Sequence, residues 1–312
     1  MTGDITTRPA TANQSGSSPA GANGHARPLE IEEALNRWFF HPISGALVEL
    51  LVPTGISPNA VSAIGVVMMA LACGCYAAIE RPWGPVLGVL FHIGWHVFDG
   101  ADGQLARRTG RSSPMGEIVD GVCDHLSHLI LYVTLGVILA RTMGGWAWPV
   151  TIVSGGSRAL QSMSYETARR SYRRWVYGVN WIRQDVGKAA KAGAAGRAGA
   201  ALAGVYLVLS RWVSADDHAI DEAMDRLVAN HGKADAARAL YQSQERKLVK
   251  RASWLSTDFE TIGVFLSLMA GSALYFLAFQ ATVLNLVMAW CVISQVRSYA
   301  ALIPKLRALE GG

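Results

Sequence analysis

Four aspartates form the group of residues in this sequence that is best suited to chemistry. Asp99 and Asp102 are three residues apart, and Asp120 and Asp124 are four residues apart. On helices, both spacings place the paired side chains on one face. If the two helices face each other, the four carboxylates repel unless cations lie between them. Oxygen ligands are typical of Mg²⁺, Mn²⁺ or Ca²⁺ rather than zinc, so the pattern predicts a divalent-cation site.

The segment between the two pairs predicts a turn followed by a new helix. Residues 109–114 have the sequence Thr-Gly-Arg-Ser-Ser-Pro. Ser113 is a candidate N-cap, Pro114 suits the first helical position and Glu117 suits the first turn. We therefore expect residues 99–124 to form a helical hairpin in which the two aspartate faces meet.

Residues 99–124 also carry a family resemblance. They follow the pattern D-x2-D-G-x2-A-R-x8-G-x3-D-x3-D, which resembles the signature of the CDP-alcohol phosphotransferases at every fixed position. The resemblance implies an enzyme of phospholipid synthesis. Such an enzyme moves a substituted phosphate from a CDP-alcohol to an acceptor hydroxyl and releases CMP. The resemblance also implies that the protein is a homodimer.

The resemblance implies a role for each residue of the motif. Two divalent ions, Mg²⁺ or Mn²⁺, would be held by Asp99, Asp102, Asp120 and Asp124. Asp120 and Asp124 are the expected catalytic residues, and Asp124 would complete an ion's coordination or accept the proton of the attacking hydroxyl. The expected nucleotide and pyrophosphate site comprises Asp99, Asp102, Gly103, Ala106, Arg107, Gly116 and Asn59.

The donor and acceptor are narrowed to two alternatives. The run from Ala106 to Asp124 looks like the choline/ethanolamine phosphotransferase branch, which joins a CDP-amino alcohol to diacylglycerol. That branch has a histidine directly after the third aspartate, where this chain has Gly121. The alternative is transfer from CDP-diacylglycerol to a polar alcohol such as inositol, inositol phosphate or glycerol phosphate.

The composition predicts an all-α integral membrane protein. Of the 312 residues, 51% are hydrophobic and 16% are charged. Six segments approach the length of about 20 residues that crosses a bilayer. They lie near 59–79, 83–98, 114–140, 146–168, 259–279 and 281–303. The net charge of +5 is then better explained by membrane orientation than by nucleic-acid binding, so no nucleic-acid partner is expected.

The remaining segments complete the predicted organisation. Residues 1–28 are expected to be a disordered tail, and 29–52 an amphipathic helix on the membrane surface. The first four spans lie within 53–168, a helical cytosolic insertion within 169–257, and the last two spans within 258–312. The apolar run 198–213 is short for a span and is expected to pack at the surface. Basic residues after spans 2 and 4 predict that the aspartates lie at the cytosolic face. A bacterial plasma membrane is the expected location.

Several polar residues lie outside the motif. Arg158, within the fourth span, either binds an anionic acceptor or pairs with a carboxylate, and Arg297 either contacts the acceptor or snorkels. His92 and His96 either ligate a metal or form interhelical hydrogen bonds. The four cysteines show no zinc or disulfide spacing and are expected to be buried free thiols.

A divalent-cation transporter is the alternative from another functional class. A transporter favours acidic residues near the middle of the bilayer and broken helices in corresponding repeats. Here the aspartates lie at one predicted membrane edge beside Arg107, and no internal repeat is evident. Stabilisation by CDP or CMP with Mg²⁺ would indicate the enzyme, and stabilisation by metal alone the transporter.

Overall fold

The computed structural model describes residues 30–178, 218–230 and 232–311, and within these ranges all regular structure is helical. The predicted tail and the apolar run 198–213 lie outside the described residues. In chain order the helices are α1 (His41–Leu51), α2 (Pro58–Tyr76), α3 (Trp83–Arg108), α4 (Pro114–Met143), α5 (Ala147–Tyr177), α6 (His218–Ala229), α7 (Ala234–Ala252), α8 (Thr257–Met269), α9 (Leu274–Ala281) and α10 (Val283–Gly311).

Local sequence explains where the helices of the hairpin begin. The Ser57 hydroxyl accepts a hydrogen bond from the Ala60 N–H at 3.2 Å and caps α2. The Ser113 hydroxyl accepts from the Gly116 N–H at 3.0 Å and caps α4, as the sequence predicted. Helix α3 continues without a break from the apolar second segment into the first aspartate pair.

Three stretches of the described residues are long and apolar enough to cross a membrane. They are Pro58–Tyr76, Met115–Tyr177 and Leu274–Gly311. The second stretch contains most of α4 and all of α5, and the third contains α9 and α10. The all-helical, apolar character of the prediction is confirmed, and the count of six spans stays a prediction.

The fifth predicted span is not one continuous helix. Helix α8 ends at Met269, Gly271 adopts φ +85°, and α9 begins at Leu274. The Ser267 hydroxyl holds the break by donating to the Ser272 carbonyl at 2.5 Å and accepting from the Phe276 N–H at 2.9 Å. The sequence remains apolar through the break. Hydropathy alone therefore predicted one span where the backbone forms two helices.

Two other helix ends differ from the prediction. Helix α5 continues to Tyr177, beyond the expected end at 168, and stops where Gly178 adopts φ +68°. This is the left-handed conformation that commonly ends helices at glycine. Helix α10 begins at Val283 and continues to Gly311, through Pro304. Part of the predicted insertion therefore extends α5.

Two hydrophobic clusters hold the helices together. The first joins α2, α3, α4, α8 and α9 and includes Met69, Tyr76, Trp95, Leu135, Val264 and Phe276. The second joins the C-terminal parts of α5 and α10 to α6 and α7 and includes Tyr172, Trp175, Met224, Leu227, Tyr241 and Leu306. The insertion helices thus pack on the ends of the apolar helices.

The N-terminal predicted helix is present as a π-helical turn, Asn36–Phe40, followed by α1. Phe40 and Val48 are buried, whereas Trp38 is 75% exposed and Leu50 is 71% exposed. The Ser44 hydroxyl donates to the Val97 carbonyl at 2.9 Å, which fixes α1 against α3 two residues before the first aspartate. Its position on a membrane surface stays a prediction.

Candidate functional site

The four aspartates lie at one end of the α3–α4 hairpin. Asp99 and Asp102 are near the C-terminal end of α3, and Asp120 and Asp124 are near the N-terminal end of α4. The Asp102 and Asp120 carboxyl groups approach closely enough to share a hydrogen bond. Asp99 experiences electrostatic repulsion from the other three. The structure therefore brings together the two pairs that the sequence separates.

Helix α2 supports both arms of the hairpin. It packs extensively against α3 and also against α4, whereas α3 and α4 make few direct contacts with each other. From α2, the Ser62 hydroxyl donates a hydrogen bond to Asp102 Oδ2, and the Gly103 N–H donates to Asp102 Oδ1. Sequence reasoning missed the contact of Ser62, because a serine within an apolar helix has no distinctive pattern.

The aspartates differ in their exposure. Asp102 is 4% exposed. Asp99 is half-buried, the Asp124 side chain is 38% exposed, and Asp120 is exposed. The acidic group therefore opens outward from a fixed, buried carboxylate. Such a site is accessible to a water-soluble ligand from one end of the helices.

The predicted nucleotide-site residues lie at the same end of the molecule. A Cβ placed on Gly116 would lie 3.7 Å from Asn59 Oδ1, so the ends of α2 and α4 meet there. A Cβ placed on Gly103 would lie 3.3 Å from a guanidinium nitrogen of Arg107, which folds back along α3. Arg107 is exposed and lies close enough to interact electrostatically with Asp102. The roles of these residues in nucleotide binding stay predictions.

A chain of ionisable groups runs inward from Asp124. His128, one helical turn further along α4, has Nδ1 at 3.3 Å from Asp124 Oδ1. Its Nε2 lies 3.2 Å from Glu260 Oε2 on α8. The same Glu260 oxygen accepts a hydrogen bond from Arg158 Nε on α5 at 2.8 Å. Sequence reasoning missed His128 and Glu260, although the four-residue spacing of Asp124 and His128 indicates a shared helix face.

The motif geometry agrees with a comparison against protein-family models. Residues 55–219 match the family described as CDP-alcohol phosphatidyltransferase. The match includes the whole hairpin. The chain belongs to this family.

Curated relatives of the chain include choline- and ethanolaminephosphotransferases. Cholinephosphotransferase 1 of Gallus gallus is 36% identical over 117 residues, which cover 35% of this chain and 34% of that protein. Cholinephosphotransferase 1 of Homo sapiens is 29% identical over 150 residues, covering 41% and 36%. Ethanolaminephosphotransferase 1 of Pongo abelii is 28% identical over 141 residues, covering 40% and 35%. The chain spans about a third of the length of these relatives. No solved structure matches it.

The acidic group of this CDP-alcohol phosphatidyltransferase family member fits a divalent cation in its donor chemistry. Four crowded carboxylates supply oxygen ligands and excess negative charge. Within residues 30–178, 218–230 and 232–311, however, no three His, Cys, Asp or Glu side chains are already grouped in a way that could hold one ion. Metal binding by Asp99, Asp102, Asp120 and Asp124 stays a prediction.

The structure places the two candidate acceptor arginines differently. Arg158 is 6% exposed and pairs with Glu260, and its Nη1 donates to the Leu255 carbonyl at 2.8 Å. The carboxylate pairing that the sequence left open is present. Arg297 is exposed on α10, a helix that packs chiefly against α5, α6, α7 and α9. Contact of either residue with an acceptor stays a prediction.

His92 and His96 form interhelical hydrogen bonds. Thr261 Oγ1 on α8 lies 3.2 Å from His92 Nε2 and 2.7 Å from His96 Nε2. The Tyr76 hydroxyl lies 3.2 Å from His92 Nδ1. These bonds connect α2, α3 and α8 beneath the hairpin, as one of the two sequence interpretations expected. The cysteines are free thiols, as predicted, but only Cys73 is buried, and Cys75, Cys123 and Cys291 are partly exposed.

Proposed function

We propose that this protein transfers the substituted phosphate of a CDP-alcohol to the hydroxyl of an acceptor and releases CMP. The proposed donor is CDP-choline or CDP-ethanolamine, and the proposed acceptor is a diacylglycerol-like lipid. The observation that carries the proposal is the hairpin itself. It brings the four aspartates of the family signature together at one end of α3 and α4.

The reaction requires one bond to form and one to break. The acceptor hydroxyl oxygen attacks the phosphorus that carries the alcohol group, and the bond from that phosphorus to the bridging pyrophosphate oxygen breaks. CMP leaves with the bridging oxygen. The hydroxyl proton passes to the Asp124 carboxylate, which is partly exposed and can then release it to solvent.

Charge neutralisation is the other requirement of phosphoryl transfer. Arg107 would bind the pyrophosphate, because its guanidinium is always charged and donates hydrogen bonds in pairs. Asp99, Asp102, Asp120 and Asp124 would hold Mg²⁺ or Mn²⁺, and two such ions would supply further neutralisation of the phosphate oxygens. Gly103, Ala106, Gly116 and Asn59 would border the nucleotide.

The proposed setting is a membrane. Six spans would place both termini and the hairpin at the cytosolic face of a bacterial plasma membrane, where basic residues concentrate. A soluble CDP-alcohol would then reach the exposed end of the acidic group, and a lipid acceptor would reach it from the bilayer. We also propose a homodimer, on the family resemblance alone.

A second donor class is favoured by one residue. Gly121 follows Asp120 where the choline/ethanolamine branch has a histidine. This departure supports transfer from CDP-diacylglycerol to a polar alcohol as the alternative reaction. The two alternatives place opposite demands on the site, since in one the acceptor is the lipid and in the other the lipid belongs to the donor.

A donor panel tests the proposal. Purified protein in lipid would receive CDP-choline, CDP-ethanolamine or CDP-diacylglycerol, each with Mg²⁺ and with diacylglycerol, inositol, inositol phosphate or glycerol phosphate. CMP release from a CDP-amino alcohol with diacylglycerol is the expected result, and release from CDP-diacylglycerol would select the alternative. Thermal stabilisation by metal but not by CDP, without CMP release, would instead indicate a cation transporter.

A further inference from the structure

We propose that His128 is a positioning residue for Asp124, and that Glu260 and Arg158 hold the His128 ring in place. The proposal rests on the proposed function, in which Asp124 accepts the proton of the attacking hydroxyl. His128 is not part of the family signature. Its supporting residues lie on two helices outside the hairpin, Arg158 on α5 and Glu260 on α8.

The contacts of the His128 ring define its orientation. Nδ1 lies 2.9 Å from the Asp124 backbone carbonyl oxygen and 3.3 Å from the Asp124 carboxylate. Nε2 lies 3.2 Å from the Glu260 carboxylate. The backbone carbonyl and the two ionised carboxyl groups are acceptors, so each ring nitrogen faces only acceptor atoms among these partners. The ring of Trp95 meets that of His128 edge to face at 5.3 Å and limits its rotation.

Glu260 is itself firmly placed. Its side chain is 3% exposed, and the Oε2 atom that faces His128 also accepts from Arg158 Nε at 2.8 Å. Arg158 is anchored in turn through its bond to the Leu255 carbonyl. A buried pair of this kind costs free energy when one partner is removed, because the other charge is left unpaired. Helices α4, α5 and α8 therefore determine together where the imidazole lies.

The arrangement suits a carboxylate that must keep one orientation. His128 lies between the Asp124 and Glu260 carboxyl groups, and Glu260 is also paired with Arg158. His125, the neighbouring histidine, does not share this role. It is exposed, and its Nδ1 lies 2.6 Å from the Gly121 carbonyl. His125 therefore supplies a matched control on the same helix.

The experiment compares His128→Phe, His128→Asn and His125→Phe with the wild-type protein. His128→Phe keeps a ring of similar shape, removes both donors and leaves the Arg158–Glu260 pair intact. With Mg²⁺ at a saturating concentration, we expect kcat for CMP release to fall about tenfold to a hundredfold with little change in KM for the donor, because a misplaced catalytic group slows the reaction without weakening binding. His128→Asn, which can still donate toward Asp124, should recover part of the loss. His125→Phe should behave as the wild type does.

Two further readouts separate positioning from a purely structural role. In the Asp124→Asn background, His128→Phe should cause no further loss, because its effect passes through the Asp124 carboxylate. The second readout needs no turnover. The Mg²⁺ concentration that gives half of the CDP-dependent rise in Tm should increase about tenfold in His128→Phe, because Asp124 is also a predicted metal ligand.

Three results would overturn the proposal. One is a His128→Phe protein with unchanged kcat and a lowered Tm. Another is a loss in the double variant equal to the product of the single losses. The third is equal impairment of His128→Asn and His128→Phe. A wild-type protein that releases no CMP from any donor would overturn the proposed function and this role with it, whereas active wild type and equally active His128→Phe would overturn the positioning role alone.

Discussion

Both carboxyl oxygens of Asp102 accept hydrogen bonds from neighbouring groups of the protein. Ser62 bonds one oxygen from the neighbouring helix α2, and the Gly103 N–H bonds the other. Hydrogen bonds to a ligating carboxylate orient it and raise metal affinity. Ser62 lies outside the signature, and at the scale of single residues it supports the acidic group through its hydrogen bond to Asp102.

Replacing Ser62 by alanine should weaken cation binding. We expect Ser62→Ala to raise the Mg²⁺ concentration needed for CDP-dependent stabilisation about tenfold to a hundredfold, since removing an outer hydrogen-bond partner typically has this effect. Thermal unfolding with CDP across a Mg²⁺ titration measures it. Ser127→Ala is the matched control, because the buried Ser127 hydroxyl bonds the Cys123 carbonyl of its own helix at 2.9 Å. An equal shift in both variants would contradict a specific role of Ser62.

At the scale of helices, the hairpin depends on how closely α2 and α3 pack. A Cβ placed on Gly88 would lie 2.2 Å from Cδ1 of Tyr76, whose side chain is fully buried. This close approach sets the separation of α2 and α3 near the N-terminal end of α3. For Gly94, also on α3, the three atoms nearest the Cβ position all belong to the flexible Met68 side chain, with the sulfur at 3.5 Å.

The two glycines therefore give a paired prediction. Gly88→Ala should destabilise the protein by about 1–3 kcal/mol, the usual cost of inserting a methyl group into a close-packed core. Gly94→Ala should be close to neutral or slightly stabilising, since alanine favours helices. The stabilities of the two variants and the wild type are compared by thermal unfolding, with all three proteins in one detergent. A Gly88→Ala protein as stable as Gly94→Ala would contradict the packing described here.

Local patterns predicted the helices of the hairpin correctly. Ser113 caps α4 as expected, because a cap depends on residues a few positions apart. The pairing of Glu260 with His128 and Arg158 could not be predicted, since its members are 132 and 102 residues apart and meet only after the helices pack. The break at Gly271 was missed because one glycine in an apolar run does not reveal its backbone conformation.

At the scale of the whole molecule, the insertion is joined to the last helix through a buried acid. Glu245 on α7 is fully buried, and its Oε1 accepts a hydrogen bond from the Ser298 hydroxyl on α10 at 2.5 Å. Its other carboxyl oxygen has no hydrogen-bond partner among the described residues. Burial raises the pKa of Glu245 from its usual 4.5 to about 7.

This shift makes stability depend on pH. Because the folded state keeps a proton that the unfolded chain releases, the contribution of Glu245 is present below pH 4.5 and is lost as the pH rises through about 7. We expect Glu245→Gln to reduce the loss of stability between pH 5 and 8 by a few kcal/mol, at about 1.4 kcal/mol per unit of pKa shift. Chemical denaturation at several pH values measures this. Parallel pH profiles for both proteins would contradict it.

We propose that the aspartate hairpin transfers a substituted phosphate. The most direct measurement is the yield of CMP and of phospholipid from one CDP-alcohol and one acceptor, by wild type, Asp124→Asn and the exposed-residue control Glu117→Gln. We expect wild type and the control to form one CMP for each phospholipid, at similar rates. The rate of Asp124→Asn should be about 10²–10⁴-fold lower, which is the usual effect of losing a general base. Undiminished transfer by Asp124→Asn, or CMP formed without phospholipid, would contradict the account.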